Sequence, residues 1–184
     1  TGMEKEGLEL ATARRPVFQQ LIREDPRTAL QSALPPETLD LLPESIRSRT
    51  EYWVSGRANT SLFRAEESGP YAVNVRELMI RGQIFLAHVY GRRLDQATFW
   101  DNPVYGVAMD NRLALAEDPV WVLSSGTATH PEWVVDVGGQ MCTFASAAKL
   151  DQYEQAIIAS ETAIAKQEAQ QLASRPKTVR IETV

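Results

Sequence analysis

The sequence predicts an α+β fold with N-terminal helices, a central antiparallel β-barrel or sandwich of about seven or eight short strands, and a long C-terminal helix. Apolar residues recur at helical spacing near both ends of the 184-residue chain, whereas strand-length apolar runs alternate with turn residues between them. The clearest of these runs is YAVNVRELMIRGQIFLAHVY (71–90). We therefore expect a single domain (1–184) made of a helical segment (3–48), a β-unit (50–145), a long helix (146–173) and a linker or tail (176–184).

The helical segment is expected to form one long helix followed by short ones. Its apolar residues follow a helical stripe, which consists of Leu8, Ala11, Phe18, Leu21 and Ile22. Pro16 lies inside this stripe and predicts either a kink or a helix that restarts there. Asp25 is suited to cap a second helix that begins at Pro26, and the prolines at 35, 36 and 43 divide the remainder into short helices.

Residues 71–90 are expected to form the hairpin around which the β-unit is built. Gly82 can adopt the positive φ of a tight turn, so Ile80 should pair with Gln83, which places Val75 opposite His88. Both faces of the second strand carry apolar residues. This pattern predicts a central strand that is covered on both sides.

Turn residues divide the rest of the β-unit into further strands. A strand that begins near residue 52 is expected to be interrupted at Ser55–Gly56 and then to resume. Asp110–Asn111 predicts a second tight hairpin, in which Met109 pairs with Arg112. The last predicted strand is Trp133–Val137, which two glycines follow.

The C-terminal helix is predicted from apolar residues near heptad spacing, which are Leu150, Tyr153, Ile157, Ile164 and Leu172. Ser146 is suited to cap its first turn, and Pro176 should end it. We expect this helix to pack on the β-unit or on the first helix through Leu150, Ile157 and Ile164.

Charge and hydropathy argue against several classes of partner. The net charge of −5 disfavours nucleic acid, because phosphate binding requires concentrated positive charge. No apolar run approaches the roughly 20 residues of a membrane span. Met3 is followed by EKEG rather than by the apolar segment of a signal peptide. The single cysteine, Cys142, cannot form an internal disulfide.

Few residues suit metal or cofactor chemistry. His88 and His130 are the only histidines, and no histidine or cysteine pair has ligand spacing, so we expect no metal, no cofactor and no catalytic residue. His88 is interpreted as a hydrogen-bonded core histidine, with metal binding or acid–base chemistry as the alternative. His130 is expected to be exposed. Cys142 is interpreted as a buried small side chain, and the alternative is a thiolate that occupies a partner's metal site.

Carboxylates and tryptophans are the remaining candidates. Four carboxylates are spread over turns and strand ends and do not define a glycosidase-type pair; they are Asp110, Glu117, Asp118 and Asp136. Neither a nucleophile elbow nor a glycine-rich phosphate loop occurs. The four tryptophans favour strand packing, with a ligand site as the alternative; they are Trp53, Trp100, Trp121 and Trp133.

Several stretches share their order along the chain with a known group of proteins. They are LATARRPVFQQLIREDPRTALQSALP (10–35), FLAHVYGRRL (85–94), VYGVAMDNRLALAEDPVWVL (104–123) and EWVVDVGGQMC (132–142). In them the chain resembles the N-terminal region of large secreted multidomain bacterial proteins, some with gametolysin-like or immune-inhibitor-like metallopeptidase domains further on. The resemblance implies a secreted or cell-surface module. Because the chain has no HExxH motif, a peptidase domain would lie beyond Val184.

Three functional hypotheses follow. The first, which the resemblance implies, is a non-catalytic N-terminal module or pro-domain that contacts a downstream domain of the same polypeptide. The alternative is a small-ligand or carbohydrate-binding module that uses the barrel or an exposed tryptophan. The third is an enzyme whose site is assembled from the dispersed carboxylates and His88.

Overall fold

The computed structural model describes residues 2–66, 73–96 and 99–174, and it confirms the predicted α+β arrangement. Its helices are α1 (Gly2–Glu24), α2 (Pro26–Ser32), α3 (Pro36–Leu41), α4 (Glu44–Arg47) and α5 (Ala147–Ser174), with a 3-10 helix at Gly91–Asp95. Its strands are β1 (Tyr52–Glu66), β2 (Val73–Ile80), β3 (Gln83–His88), β4 (Asn102–Met109), β5 (Arg112–Leu115), β6 (Trp121–Ser124), β7 (Trp133–Val137) and β8 (Gln140–Phe144). The predicted tail lies outside the described residues.

The strands form two sheets. Five of them close into a barrel in the order β1-β2-β3-β5-β4, and the other three form a sheet in the order β6-β7-β8. The pairs are antiparallel, as predicted, with one exception: β3 and β5 run parallel. A long first strand that closes the barrel, together with a parallel third and fifth strand, matches the topology of OB-type barrels. This likeness concerns shape and does not define a function.

The predicted hairpins form with the predicted registers. Ile80 pairs with Gln83, and Val75 pairs with His88, across a turn in which Arg81 and Gly82 have φ of 50° and 80°. Met109 pairs with Arg112 across the second turn. Positive φ at both central residues of the first turn suits the right-handed twist of a two-stranded ribbon.

Two strand predictions were wrong. β1 continues through Ser55–Gly56, and its irregularity lies between Thr60 and Leu62. Gly56 instead allows β1 to lie close to Ile80, because a Cβ at residue 56 would lie 2.5 Å from Ile80 Cγ2. Trp133–Val137 is also not the last strand: the next two glycines have positive φ and turn the chain into β8, which pairs along β7.

The helical segment forms largely as expected. Asp25 caps α2, where its Oδ1 accepts a hydrogen bond from the Thr28 backbone N–H at 3.0 Å, and Pro26 is the first helical residue. The prediction that a helix might restart at Pro16 was wrong, since α1 continues through it. α1 and α2 cover the outside of β4 and β5 with Phe18, Ile22 and Ala29, which pack on Val107, Met109 and Ala114.

The barrel interior and the smaller sheet have separate apolar clusters. The interior cluster includes Leu78, Phe85, Val104, Leu113 and Leu115, all of them buried. The second cluster joins β7 to α5 through Val120, Val135, Val137 and Leu150. Ile157 packs against this cluster as predicted, whereas Ile164 is 42% exposed and is not part of it.

The second strand of the central hairpin, β3, is covered on both sides only near its C-terminal end. Its inward residues Phe85 and Ala87 are buried, and the outward-facing His88 is buried as well. Ile84 is 61% exposed on the outer face. Apolar residues on both faces therefore predicted more cover than β3 has.

Candidate binding cleft

The two histidines have the predicted environments, one in the core and one exposed. His88 is 0% exposed, and its Nε2 lies 3.2 Å from Arg112 Nη1, which fits a core histidine with a polar neighbour. His130 is exposed in the loop before β7. Among the residues that the structure describes, no group of three or more His, Cys, Asp or Glu side chains is arranged to hold a metal ion.

Cys142 is half-buried rather than fully buried. It lies in β8 opposite Val135 and packs against the cluster between β7 and α5. Its Sγ lies 3.8 Å from the Gln140 carbonyl oxygen. The residue therefore contributes to the sheet–helix packing, and its side chain is only partly covered.

Of the four carboxylates, Asp110 and Asp136 stabilise turns, whereas Glu117 and Asp118 line the same cleft. Asp110 accepts hydrogen bonds from Arg15 and Gln19 and so ties the β4–β5 turn to α1. Asp136 Oδ1 accepts hydrogen bonds from Ser55 Oγ and the Gly139 N–H, both at 2.6 Å. Glu117 and Asp118 lie together in the β5–β6 connection and line one cleft.

Two of the tryptophans form an aromatic stack between the barrel and the smaller sheet. The ring centroids of Trp53 on β1 and Trp121 on β6 are 4.9 Å apart at an interplanar angle of 18°. Tyr105 on β4 also stacks on Trp121, with centroids 5.7 Å apart and an angle of 3°. Trp53 Nε1 donates a hydrogen bond to the Leu34 carbonyl oxygen at 2.8 Å, which holds the stack against the α2–α3 connection. Trp100, by contrast, is 62% exposed.

A cleft of about 380 Å³, here called the aromatic cleft, lies on one side of this stack. Its aromatic lining is Trp53, Tyr90, Tyr105 and Trp121, and its polar lining is Arg27, Gln31, Glu117 and Asp118. The Arg27 guanidinium lies 5.0 Å from the Tyr90 ring centroid and 3.5 Å from Glu117 Oε2. The volume falls within the roughly 300–1,000 Å³ of typical small-molecule sites.

Backbone conformation positions the Glu117 carboxylate at this cleft. Its Oε1 accepts a hydrogen bond from the Arg92 backbone N–H at 2.8 Å. Gly91, at φ +56°, allows this approach, because a Cβ at that position would lie 2.2 Å from the same carboxylate. The Glu117 backbone N–H donates to Tyr90 Oη at 3.4 Å, so both ends of the residue are held.

Burial raises the pKa values of the two tyrosines that line the cleft. It raises the pKa of Tyr90, with a smaller contribution from the negative charges of Asp118 and Glu117. The pKa of Tyr105 is raised much further, first by burial and then by Asp118. Both side chains are therefore neutral at pH 7 and present hydroxyl groups that can donate as well as accept.

A second cleft of about 310 Å³, here called the outer cleft, also borders Trp53 and Trp121. Its other lining residues come mainly from the helical segment and the start of β1: Pro36, Leu39, Asp40, Arg47, Glu51 and Tyr52. Glu51 is 1% exposed, and its Oε1 accepts hydrogen bonds from Arg14 Nη2 at 2.7 Å and the Leu34 N–H at 2.9 Å. Burial opposes its ionisation, but these hydrogen bonds outweigh burial and hold the pKa of Glu51 below its usual value.

Behind the aromatic cleft lies a buried polar network. Arg93 is 0% exposed, and its Nε donates to the Ala116 carbonyl oxygen at 2.6 Å. Glu161 of α5 is 4% exposed and accepts hydrogen bonds from Arg92 and from Gln96. Burial lowers the pKa of Arg93 to about 10, so the guanidinium remains charged at neutral pH. The network links the 3-10 helix, the β5–β6 connection and α5.

Comparison of the chain with protein-family models, with curated proteins and with solved structures finds no match. Within the described part of the chain, no helix is both long enough and apolar enough to cross a membrane. Sequence reasoning named Trp53, Trp121, Glu117 and Asp118 as separate residues but did not group them. No pattern in the sequence could group them, because they lie on different elements that only the tertiary structure brings together.

Proposed function

We propose that this chain is a non-catalytic module that binds carbohydrate, with the aromatic cleft as its binding site. The observation that carries the proposal is the convergence of aromatic rings from β1, β4 and β6 beside a cleft with carboxylate, amide and guanidinium groups. Sugar rings have apolar C–H faces that pack on aromatic rings, and hydroxyl groups that need donors and acceptors around them. The aromatic cleft supplies both.

The polar groups of the cleft suit hydroxyl recognition better than catalysis. Gln31 and Arg27 offer planar donors, Glu117 and Asp118 offer acceptors, and the neutral phenol of Tyr105 can serve as either. Glu117 is already held by the Arg92 backbone and faces Arg27, which favours a positioning role over proton transfer. A secreted or cell-surface location, which the resemblance implies, would bring such a module into contact with extracellular polysaccharides.

A direct binding measurement tests this function. We would titrate the purified chain with cellohexaose, chitohexaose, maltohexaose and mannohexaose by calorimetry and follow tryptophan fluorescence. At least one of these neutral hexasaccharides should bind, and Trp121→Ala should weaken that binding by about tenfold or more. Gln31→Ala, at an exposed position, should weaken it without affecting the fold.

Trp100→Ala is the matched control, because Trp100 is exposed and lines neither cleft. It should leave the affinity unchanged. Thermal unfolding of each variant separates loss of binding from loss of folding. Absence of binding to all four hexasaccharides, or equal losses in the Trp100 and Gln31 variants, would refute the proposed function.

A second candidate function is contact with a downstream domain of the same polypeptide. It is favoured by an apolar stripe on α1: Met3, Leu10 and Val17 recur every seven residues and are 83%, 65% and 67% exposed. Hydrogen exchange on α1 should then be slower in the longer polypeptide that this candidate requires than in the present chain. Equal exchange rates in the two would exclude the α1 contact.

A further inference from the structure

We infer that the ligand is a neutral oligosaccharide that spans both clefts, rather than a single sugar or an acidic polysaccharide. This inference rests on the proposed function and adds chain length and charge to it. Two observations support the inference: the two clefts share lining residues, and their lining has more carboxylates than guanidinium groups.

The two clefts share one pair of rings. Trp53 and Trp121 line both of them, and the helical segment contributes to a wall of each. α2 contributes Gln31 to the aromatic cleft, and α3 contributes Asp40 to the outer cleft. Between them, the Leu34 carbonyl accepts the Trp53 Nε1 hydrogen bond, which fixes this wall to the rings. A linear chain of sugars can therefore contact the same aromatic pair from one cleft to the next.

The volumes favour a ligand longer than one sugar. The clefts measure about 380 and 310 Å³, and each lies near the lower end of the range for small-molecule sites. A ligand that outgrows the aromatic cleft meets further polar and aromatic groups in the outer cleft, including the half-exposed Tyr52. Additional sugars should then add contacts instead of extending into solvent.

The charges of the lining favour a neutral ligand. Four carboxylates line the two clefts, Asp40, Glu51, Glu117 and Asp118, against the guanidinium groups of Arg27 and Arg47. Arg47 pairs with Glu44, while Glu117 pairs with Arg27 and Glu51 pairs with Arg14. Among the described residues, Asp40 and Asp118 are then the carboxylates of the lining that have no salt bridge. Uronic acids or sulfated sugars would therefore meet excess negative charge, which is unfavourable for binding.

A chain-length series tests the span. For the hexasaccharide that binds most tightly, we would compare the monosaccharide, disaccharide, tetrasaccharide and hexasaccharide. The hexasaccharide should bind about tenfold or more tightly than the monosaccharide, and hexagalacturonate should bind about tenfold or more weakly than the neutral hexasaccharide. Asp40→Ala should weaken hexasaccharide binding by about threefold or more. It should not change the affinity for the shortest sugar that still binds.

Glu37→Ala is the control for the outer cleft, because Glu37 is exposed on the same helix but does not line the cleft. Its affinities should match those of the unmodified chain. Equal affinities for all lengths, or a hexasaccharide affinity that Asp40→Ala leaves unchanged, would overturn the span. Equal binding of hexagalacturonate would overturn the preference for neutral ligands. The proposed function fails on different results, namely no binding of any of the four neutral hexasaccharides or equal losses in the Trp100→Ala and Gln31→Ala variants, so the two failures are distinguishable.

Discussion

The barrel interior and the junction between the barrel, the smaller sheet and α5 are built in different ways. Leu78, Phe85 and Leu113 are all within 1% of complete burial and pack against other apolar side chains. At the junction, by contrast, the fully buried side chains include the charged Arg93 and Glu161, beside the aromatic stack. Non-directional apolar burial dominates the interior, although β2 also buries Arg76, whose Nη2 donates to the Leu94 carbonyl oxygen at 3.1 Å. The junction depends to a larger extent on directional contacts.

This difference explains where the clefts lie. Apolar side chains can interdigitate until little space remains, which suits a closed barrel. Charged groups must instead keep their hydrogen-bond geometry, and the lowered pKa of Arg93 reflects the cost of burying them. Both the aromatic and the outer clefts lie outside the barrel, where its outer surface meets other elements. The apolar barrel thus supports the part of the molecule that carries the two clefts.

The largest effect is expected in the barrel interior. Phe85→Ala should lower the free energy of unfolding by about 3–5 kcal/mol, because it removes a buried ring and leaves a cavity. Ile84→Ala is the control on the same strand, since Ile84 is 61% exposed, and it should cost about 0.5 kcal/mol or less. Denaturant unfolding measures both. Similar losses in the two variants would contradict the assignment of Phe85 to the interior.

An intermediate effect is expected at the junction. Glu161→Ala should cost about 2–3 kcal/mol, because it removes the acceptor that Arg92 and Gln96 share and leaves guanidinium charge buried without it. The estimate lies below the value for a fully buried pair because the Arg92 side chain is 20% exposed. Glu161→Gln keeps an oxygen acceptor and should cost about half as much. Thermal unfolding that shifts equally in both variants would show that the hydrogen-bonding oxygen does not matter there.

The smallest effect is expected along α5, between the partly buried Ile157 and the more exposed Ile164. Ile157→Ala should cost about 1–2 kcal/mol, because Ile157 is only partly buried against the sheet cluster. Ile164→Ala, at a position that is 42% exposed, should cost about 0.5 kcal/mol or less. Urea unfolding distinguishes the two. A larger loss at Ile164 than at Ile157 would contradict the exposure of Ile164 in the structure.

Some errors of sequence reasoning have local causes. The pair Gly138–Gly139 followed by an apolar-containing run is itself a hairpin signal, so β8 could have been predicted from the residues. Gly56 was interpreted as an interruption because glycine weakens strands, yet it is retained where β1 approaches Ile80 closely. Pattern alone does not distinguish a glycine that breaks a strand from one that permits a close approach.

The sequence by itself determined the parts of this protein that depend on neighbouring residues. The cap at Asp25, the turn at Gly82, and the pairing of Met109 with Arg112 all follow from side chains within a few positions of one another. Such interactions form whenever the local chain is folded. For that reason the order and type of most elements could be predicted without knowing how they meet.

Only the tertiary structure decided which elements lie side by side. The parallel pairing of β3 with β5 and the stacking of Trp53 on Trp121 join residues that are far apart along the chain. Burial of apolar surface drives such contacts, and it has no direction or sequence spacing that a pattern could reveal. Composition identified the aromatic rings and carboxylates, but the packing of α2, the barrel and the smaller sheet brought them to one cleft.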